Sequence, residues 1–251
     1  MSEGAPTPGR RTVVITGGSR GIGRAIAQRC VEAGDDVVVG ARRREAVDEA
    51  VEELSKLGGG RVIGGTVDVA SQESNDQFFA WVENECGTPD VCILSAGVGY
   101  WGPSGQFSPE DWRTTMRINV DGAFYGTRAV LDRMTERGSG HLVFFSSVLG
   151  KRGVPAMSAY AASKAAVATF AESVAIEAKP HGVKVTVMYP GTTATTMRDA
   201  QTERPQTPDI TDPGLQLGPE DVADGVMWAI NTSSRAFPTG LFLEPPGAPA
   251  R

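Results

Sequence analysis

The sequence predicts an α/β fold: a doubly wound, mostly parallel sheet of seven strands covered by helices on both faces. Three observations lead there. Short runs rich in Val, Ile and Phe alternate with longer segments of helical period. The runs are apolar almost without interruption, which marks strands buried on both faces rather than one. No internal repeat or mid-chain linker breaks the alternation, so residues 11–251 read as one domain behind a disordered leader at 1–10.

Taken in order, residues 11–16 (RTVVIT) form the first strand, followed by a helix over about 21–34. Residues 36–40 (DVVVG) precede a helix over 44–57, and 61–69 (RVIGGTVDV) precede one opening at the N-cap candidate Ser71. Residues 90–97 (DVCILSAG) lead through a Gly/Pro/aromatic loop to a long helix over 108–137. Residues 141–147 (HLVFFSS) feed an Ala-rich helix ending near Pro180, and 183–190 (VKVTVMYP) and 239–245 (TGLFLEP) are the last strands. Doubly wound sheets bind ligands beyond the C-terminal ends of their strands. The polar stretch 192–218, with Pro205, Pro208 and Pro213, leaves strand six at that edge and reads as a substrate lid.

Composition removes several function classes. A net charge of −6 offers no basic footprint for nucleic acid. Cys30, Cys86 and Cys92 lack CxxC spacing and only His141 and His181 are available beside them, so no zinc site is expected. All three thiols fall in apolar-periodic segments, the pattern of buried reduced cysteines in a cytoplasmic protein. No run approaches about 18 apolar residues, so no membrane span is predicted.

The turn after the first strand, TGGSRGIG (residues 16–23), places Gly17, Gly21 and Gly23 where the backbone must bend tightly and approach a ligand. The following helix start presents free N–H groups and a positive dipole end, a cradle for a pyrophosphate. Strand two ends in GARRR, with Ala41 and Arg42 where a dinucleotide fold selecting NAD carries an acid. A guanidinium at Arg42, helped by Arg20, suits a 2′-phosphate, so the cofactor is expected to be NADP(H). Arg43 and Arg44 read as a solvated helix start. Farther on, Tyr160 and Lys164 are four residues apart on a helix, about 6 Å apart at Cβ. A Lys charge beside a phenol favours phenolate and lowers its pKa, which suits general acid/base work.

Together these residues resemble the short-chain dehydrogenase/reductase family, a Rossmann-fold group. TGGSRGIG matches its cofactor loop, Asp68-Val69 its adenine contact, INVDGAF (118–124) its long-helix motif, Ser147 with Tyr160 and Lys164 its catalytic set, and PGTTAT (190–195) its PG motif. The resemblance implies a catalytic set of Asn119, Ser147, Tyr160 and Lys164. Tyr160 would exchange a proton with the substrate oxygen and Ser147 would hydrogen-bond that oxygen. Lys164 would bind the nicotinamide ribose and lower the Tyr160 pKa, and Asn119 would support a water-mediated proton path. It also implies cofactor contacts from Gly17, Ser19, Arg20, Gly21, Ile22, Gly23, Arg42, Asp68, Val69, Ala96, Gly97, Tyr160, Lys164, Pro190, Gly191, Thr193 and Thr195. Ser146, one residue farther from Tyr160, is expected to be structural. The family's NNAG appears here as LSAG (94–97), with Ser95 able to donate to part of the lost amide network.

The resulting expectation is an NADP(H)-dependent oxidoreductase transferring hydride between nicotinamide and an alcohol/carbonyl pair. The alternative is a non-catalytic NADP(H)-binding regulatory protein; a sugar-nucleotide epimerase would need a larger substrate domain. Val98, Tyr100, Trp101, Val148, Leu149, Val154, Met157 and Met197 suggest an apolar cleft for a small neutral carbonyl or alcohol. Lys151, Arg152 and Arg198 are the nearby cations. The Tyr160 helix is apolar nearly all round, which predicts a homodimer or homotetramer through its second face.

Overall fold

A computed structural model describes residues 9–199 and 212–246. Seven strands, β1 (Thr12–Thr16), β2 (Asp36–Ala41), β3 (Val62–Thr66), β4 (Val91–Leu94), β5 (Gly140–Phe145), β6 (Val183–Pro190) and β7 (Gly240–Leu243), form one sheet in the order β3-β2-β1-β4-β5-β6-β7. Every pairing is parallel. The order reverses between β1 and β4, which opens a crevice at their C-terminal ends.

Side-chain alternation along each strand sends neighbours to opposite faces. Val14, Val38, Cys92, Leu94, Leu142 and Phe144 enter one core, and Val13, Ile15, Val37, Val39, Ile93 and Val143 the other. Helices α3 (Gln72–Cys86), α5 (Gly122–Arg137) and α6 (Ser158–Ala178) cover the first face. Helices α1 (Gly21–Glu32), α2 (Arg44–Ser55) and α8 (Pro219–Ile230) cover the second. Both faces being buried is why the strands read as unbroken apolar runs.

Several boundaries differ from the sequence pattern. The long helix over 108–137 is interrupted: α4 (Pro109–Met116), capped by Ser108, passes through a π turn (Arg117–Asp121) before α5. The shared α-helical dihedrals keep the apolar period running through, so periodicity cannot report it. Strand β3 stops at Thr66, although the Val67 amide still donates to the Ala41 carbonyl at 2.9 Å. Helix α8 was not anticipated, though Pro219 at its first turn and buried Val222, Ala223, Val226, Ala229 and Ile230 carry the signal. Cys30 and Cys92 are buried as expected, whereas Cys86 is only half-buried. The lid expected over 192–218 is described only in part: α7 (Thr196–Asp199) follows β6, a 3-10 turn (Pro213–Leu215) precedes α8, and Pro205 and Pro208 lie outside the described residues. The leader expected at 1–10 lies almost wholly outside them too.

Candidate active site

The glycine loop is shaped by contacts that admit no side chain. Gly17 (φ +72°) and Gly21 (φ +55°) occupy the left-handed region, and a Cβ on Gly17 would sit 2.8 Å from the Ala96 Cα. The Gly17 and Gly18 amides donate to the Gly40 carbonyl at 2.8 and 3.2 Å, fastening the loop to β2. Arg20, at the N-cap of α1, has extended backbone and supplies no side-chain cap. The first N–H groups of α1 therefore remain available to an external acceptor, the arrangement that holds a phosphate.

These amides open into a cleft of about 360 Å³ at the β1/β4 reversal. Gly17, Ser19, Arg20, Gly21, Ile22 and Gly23 form one wall. Arg42, Asp68, Val69, Ala96, Gly97 and Thr195, read from sequence as cofactor contacts, also line it. Arg43, exposed at the N-cap of α2 as its reading as a solvated helix start implies, lines the cleft as well. Arg44 is directed elsewhere, pairing with Asp48 at 2.9 Å. Arg20, Arg42 and Arg43 enter no ion pair among the described residues. Sequence reasoning also missed Ser95, Ile118 and Thr196 in the lining.

The LSAG departure is accommodated by packing and one hydrogen bond. Leu94 lies 5 % exposed in the core against Gly126 of α5, where any Cβ would collide with it. The Ser95 hydroxyl donates to the Thr16 carbonyl at 2.6 Å, joining the ends of β4 and β1.

The residues proposed for chemistry converge beside this cleft rather than on its lining. A Cβ on cleft residue Gly97 would stand 3.2 Å from Asn119 Oδ1 and 3.4 Å from Lys164 Nζ. The Ser147 hydroxyl is within hydrogen-bonding reach of the Tyr160 phenol, and it accepts from the Leu149 amide at 3.1 Å. Lys164 Nζ lies 5.6 Å from the centre of the Tyr160 ring and donates to the Phe145 carbonyl at 2.8 Å. Pro190, Gly191 and Thr193 stand behind: the Pro190 carbonyl faces Ser147 Oγ at 3.4 Å, the Gly191 amide donates to Leu243, and Thr193 Oγ1 to the Gly191 carbonyl. Ser146 points the other way, donating to the Lys164 carbonyl at 2.8 Å.

Electrostatics correct one expectation. The Tyr160 pKa is raised, not lowered, because the loss of water around the phenol, in a residue that is half-buried as a whole, outweighs the hydrogen bond from Ser147 that favours phenolate. Burial also pushes the Lys164 ammonium down to about 8. The site therefore holds a neutral phenol with a cation close by, an arrangement that can give up a proton and shelter the anion left behind. Of the candidate cations for a charged substrate, Lys151 is engaged by Glu172 at 3.3 Å and by Tyr189, Arg152 is exposed, and the Arg198 side chain lies outside the described residues. Met157 is buried, 5 % exposed, while Val148, Leu149 and Val154 are half-buried. Among the described residues no cluster of His, Cys, Asp and Glu could hold a metal, and no helix is long and apolar enough to cross a membrane.

Comparison with known proteins gives this geometry a family. A family model described as short chain dehydrogenase matches residues 11–206. A glycine betaine reductase of Emericella nidulans is 30 % identical over 95 % of the chain, but the match covers 19 % of that protein. A short chain dehydrogenase of Pseudocercospora fijiensis is 38 % identical over 72 % of the chain and 59 % of its own length. The chain thus spans only part of these two relatives. Among solved structures, an alcohol dehydrogenase from the archaeon Thermococcus sibiricus, complexed with 5-hydroxy-NADP, superposes with TM-score 0.87 at 26 % identity, covering 96 % of this chain and 99 % of that one. A closed form of serine dehydrogenase complexed with NADP+ gives TM-score 0.86 at 26 % identity, with the same coverage.

Proposed function

The chain belongs to the short-chain dehydrogenase family, and on that premise we propose that it is an NADP(H)-dependent oxidoreductase interconverting a neutral, fairly apolar carbonyl compound and its alcohol. The observation that carries this reading is the convergence of Ser147, Tyr160 and Lys164 next to a cleft that Gly97 lines and that also carries Arg20, Arg42 and Arg43, which enter no ion pair among the described residues.

The glycine loop, the uncapped start of α1 and the cations at Arg20, Arg42 and Arg43 fit a dinucleotide bearing a 2′-phosphate. When bound, that cofactor supplies or accepts the hydride at the carbonyl carbon. In reduction Tyr160 donates its phenolic proton to the substrate oxygen, so hydride and proton together convert C=O to CH–OH. Ser147 donates a hydrogen bond to the same oxygen and fixes its position. The phenolate left on Tyr160 is stabilised by the Lys164 ammonium 5.6 Å from the ring centre, and a proton from solvent then restores the phenol. The π turn carrying Asn119 shifts main-chain hydrogen bonding beside the site, which supports a solvent path there. Alcohol oxidation runs the same steps backwards. Phe124 and Ile176 are 46 % and 77 % exposed on α5 and α6, which supports a homodimer or homotetramer through that face.

The test is NADPH oxidation, and NADP reduction, against a panel of neutral ketones, aldehydes and secondary alcohols, with Tyr160→Phe as control. Turnover by the parent chain, lost in Tyr160→Phe with NADPH affinity kept, is expected. Tight NADPH binding with no turnover on the whole panel would favour a regulatory binding protein instead.

A further inference from the structure

Between Tyr160 and Lys164 lies Ser163, whose side chain is wholly buried, 0 % exposed, and which touches neither the cleft nor the phenol. Its hydroxyl carries one proton, and it donates that proton to the main-chain carbonyl of Tyr160 at 2.7 Å. With that proton committed, the oxygen can only accept from its other partner, and what faces it at 2.9 Å is Asn119 Nδ2. This settles the orientation of the Asn119 amide. Its second N–H goes to the Val98 carbonyl at 2.9 Å, and its Oδ1 accepts the Val98 amide at 2.8 Å. Each proton along Val98–Asn119–Ser163–Tyr160 has one direction, and reversing any of them leaves a buried donor facing a donor.

The chain of bonds joins three elements that no strand pairing connects: the cleft wall after β4, the π turn and the first turn of α6. Val98 lines the cleft directly, and Gly97 beside it approaches Lys164 Nζ. Neither local propensity nor apolar packing determines how far the Tyr160 turn stands from that wall, because Val98 and Tyr160 are both only half-buried. We infer that Ser163 is a positioning residue, setting the Val98 wall against the Tyr160 turn through Asn119. The inference deepens the acid/base reading of Tyr160 and rests on it for its effect on turnover.

Two measurements on Ser163→Ala test it. Amide hydrogen exchange at Val98 requires no substrate: loss of the serine frees Asn119 to rotate, and the Val98 amide should exchange at least ~5-fold faster while the core of α6 keeps its protection. A serine that merely stabilised the helix would instead loosen α6 and leave Val98 unchanged. With NADPH and 2,3-butanedione, benzaldehyde or cyclohexanone as probes, kcat should fall ~5- to 20-fold with NADPH affinity within about twofold of the parent. In an Asn119→Ala background the same substitution should cost less than about twofold more, since its route is already cut. Should Ser163→Ala lose its fold, Ser163→Cys keeps the volume with a weak donor and is expected to show the same signs. Unchanged Val98 exchange in a folded variant, or additive losses in the double variant, overturns the inference. Turnover surviving in Tyr160→Phe would overturn the acid/base reading and leave the Val98 result standing.

Discussion

The hydroxyl of Ser95 donates to the main-chain carbonyl of Thr16 at 2.6 Å, so a side chain adds to the β1/β4 ladder at its last pair, Thr16 and Leu94. The bond lies directly under the glycine loop, where a Cβ on Gly23 would come 2.8 Å from Ser95 Oγ. Ser95→Ala removes one part-buried hydrogen bond, about 1 kcal/mol, and leaves the rest of the floor intact. NADPH affinity is expected to fall roughly fivefold by fluorescence titration, with thermal stability reduced by only a few degrees.

The same floor leaves Gly23 no room. Its Cβ would run into the Gly17 carbonyl as well as Ser95, and both neighbours are held by their own hydrogen bonds. Gly23→Ala should therefore displace the loop and weaken NADPH at least ~100-fold, while circular dichroism stays that of the parent. Parent-like affinity would show that the loop can yield.

On the proposed NADP(H) reading, Arg42 and Arg43 would share the recognition of the 2′-phosphate. Each single Arg→Ala variant should weaken NADPH roughly tenfold or more and leave NADH within about twofold. Equal losses for both cofactors would remove the arginine from that role.

The pH dependence of reduction follows from Lys164. Its ammonium, with a pKa held down to about 8 by burial, is charged below that pH and neutral above it. In the proposed mechanism the cation that would stabilise the Tyr160 phenolate is thus lost as pH rises through 8, and kcat/KM for carbonyl reduction should fall there. Lys164→Ala should be slow at every pH and lack this limb.

Acid stability depends on His141 in β5. Thr186 Oγ1 spends its one proton on the Pro238 carbonyl at 2.6 Å, so at 2.8 Å His141 Nε2 must be the donor and the ring is the Nε2–H tautomer. Burial, with Lys184 and Arg11 nearby, pushes its pKa down from 6.5 to about 3. The folded state disfavours the proton that the unfolded chain accepts, so this stabilisation is complete above about pH 6.5 and is lost as pH falls toward 3, on the order of a few kcal/mol in all. Urea unfolding between pH 7 and 4 should show a stability slope that is reduced in His141→Gln.

Much of this was legible in the residues because it depends on local pattern. Unbroken apolar runs fixed both-sided burial for β1, β2 and β5, and glycines between β1 and α1 located the cleft. That Arg43 borders the cleft while Arg44 pairs with Asp48 is not legible in a run of three arginines, because only the turn of the chain at the α2 N-cap separates them. The Tyr160 pKa was read in the wrong direction because sequence spacing shows a nearby Lys but not the burial that outweighs it.

From sequence alone came the doubly wound order of elements, the family resemblance and the types of residue at the site, since periodicity, turn chemistry and motif spacing are properties of the chain itself. Tertiary structure decided the rest. Ser95 meets Thr16 across 79 positions, and Asn119 meets Ser163 across 44. The direction of a hydrogen bond, the burial of a phenol and the choice between adjacent arginines depend on which surfaces face each other after folding, and no local spacing encodes that.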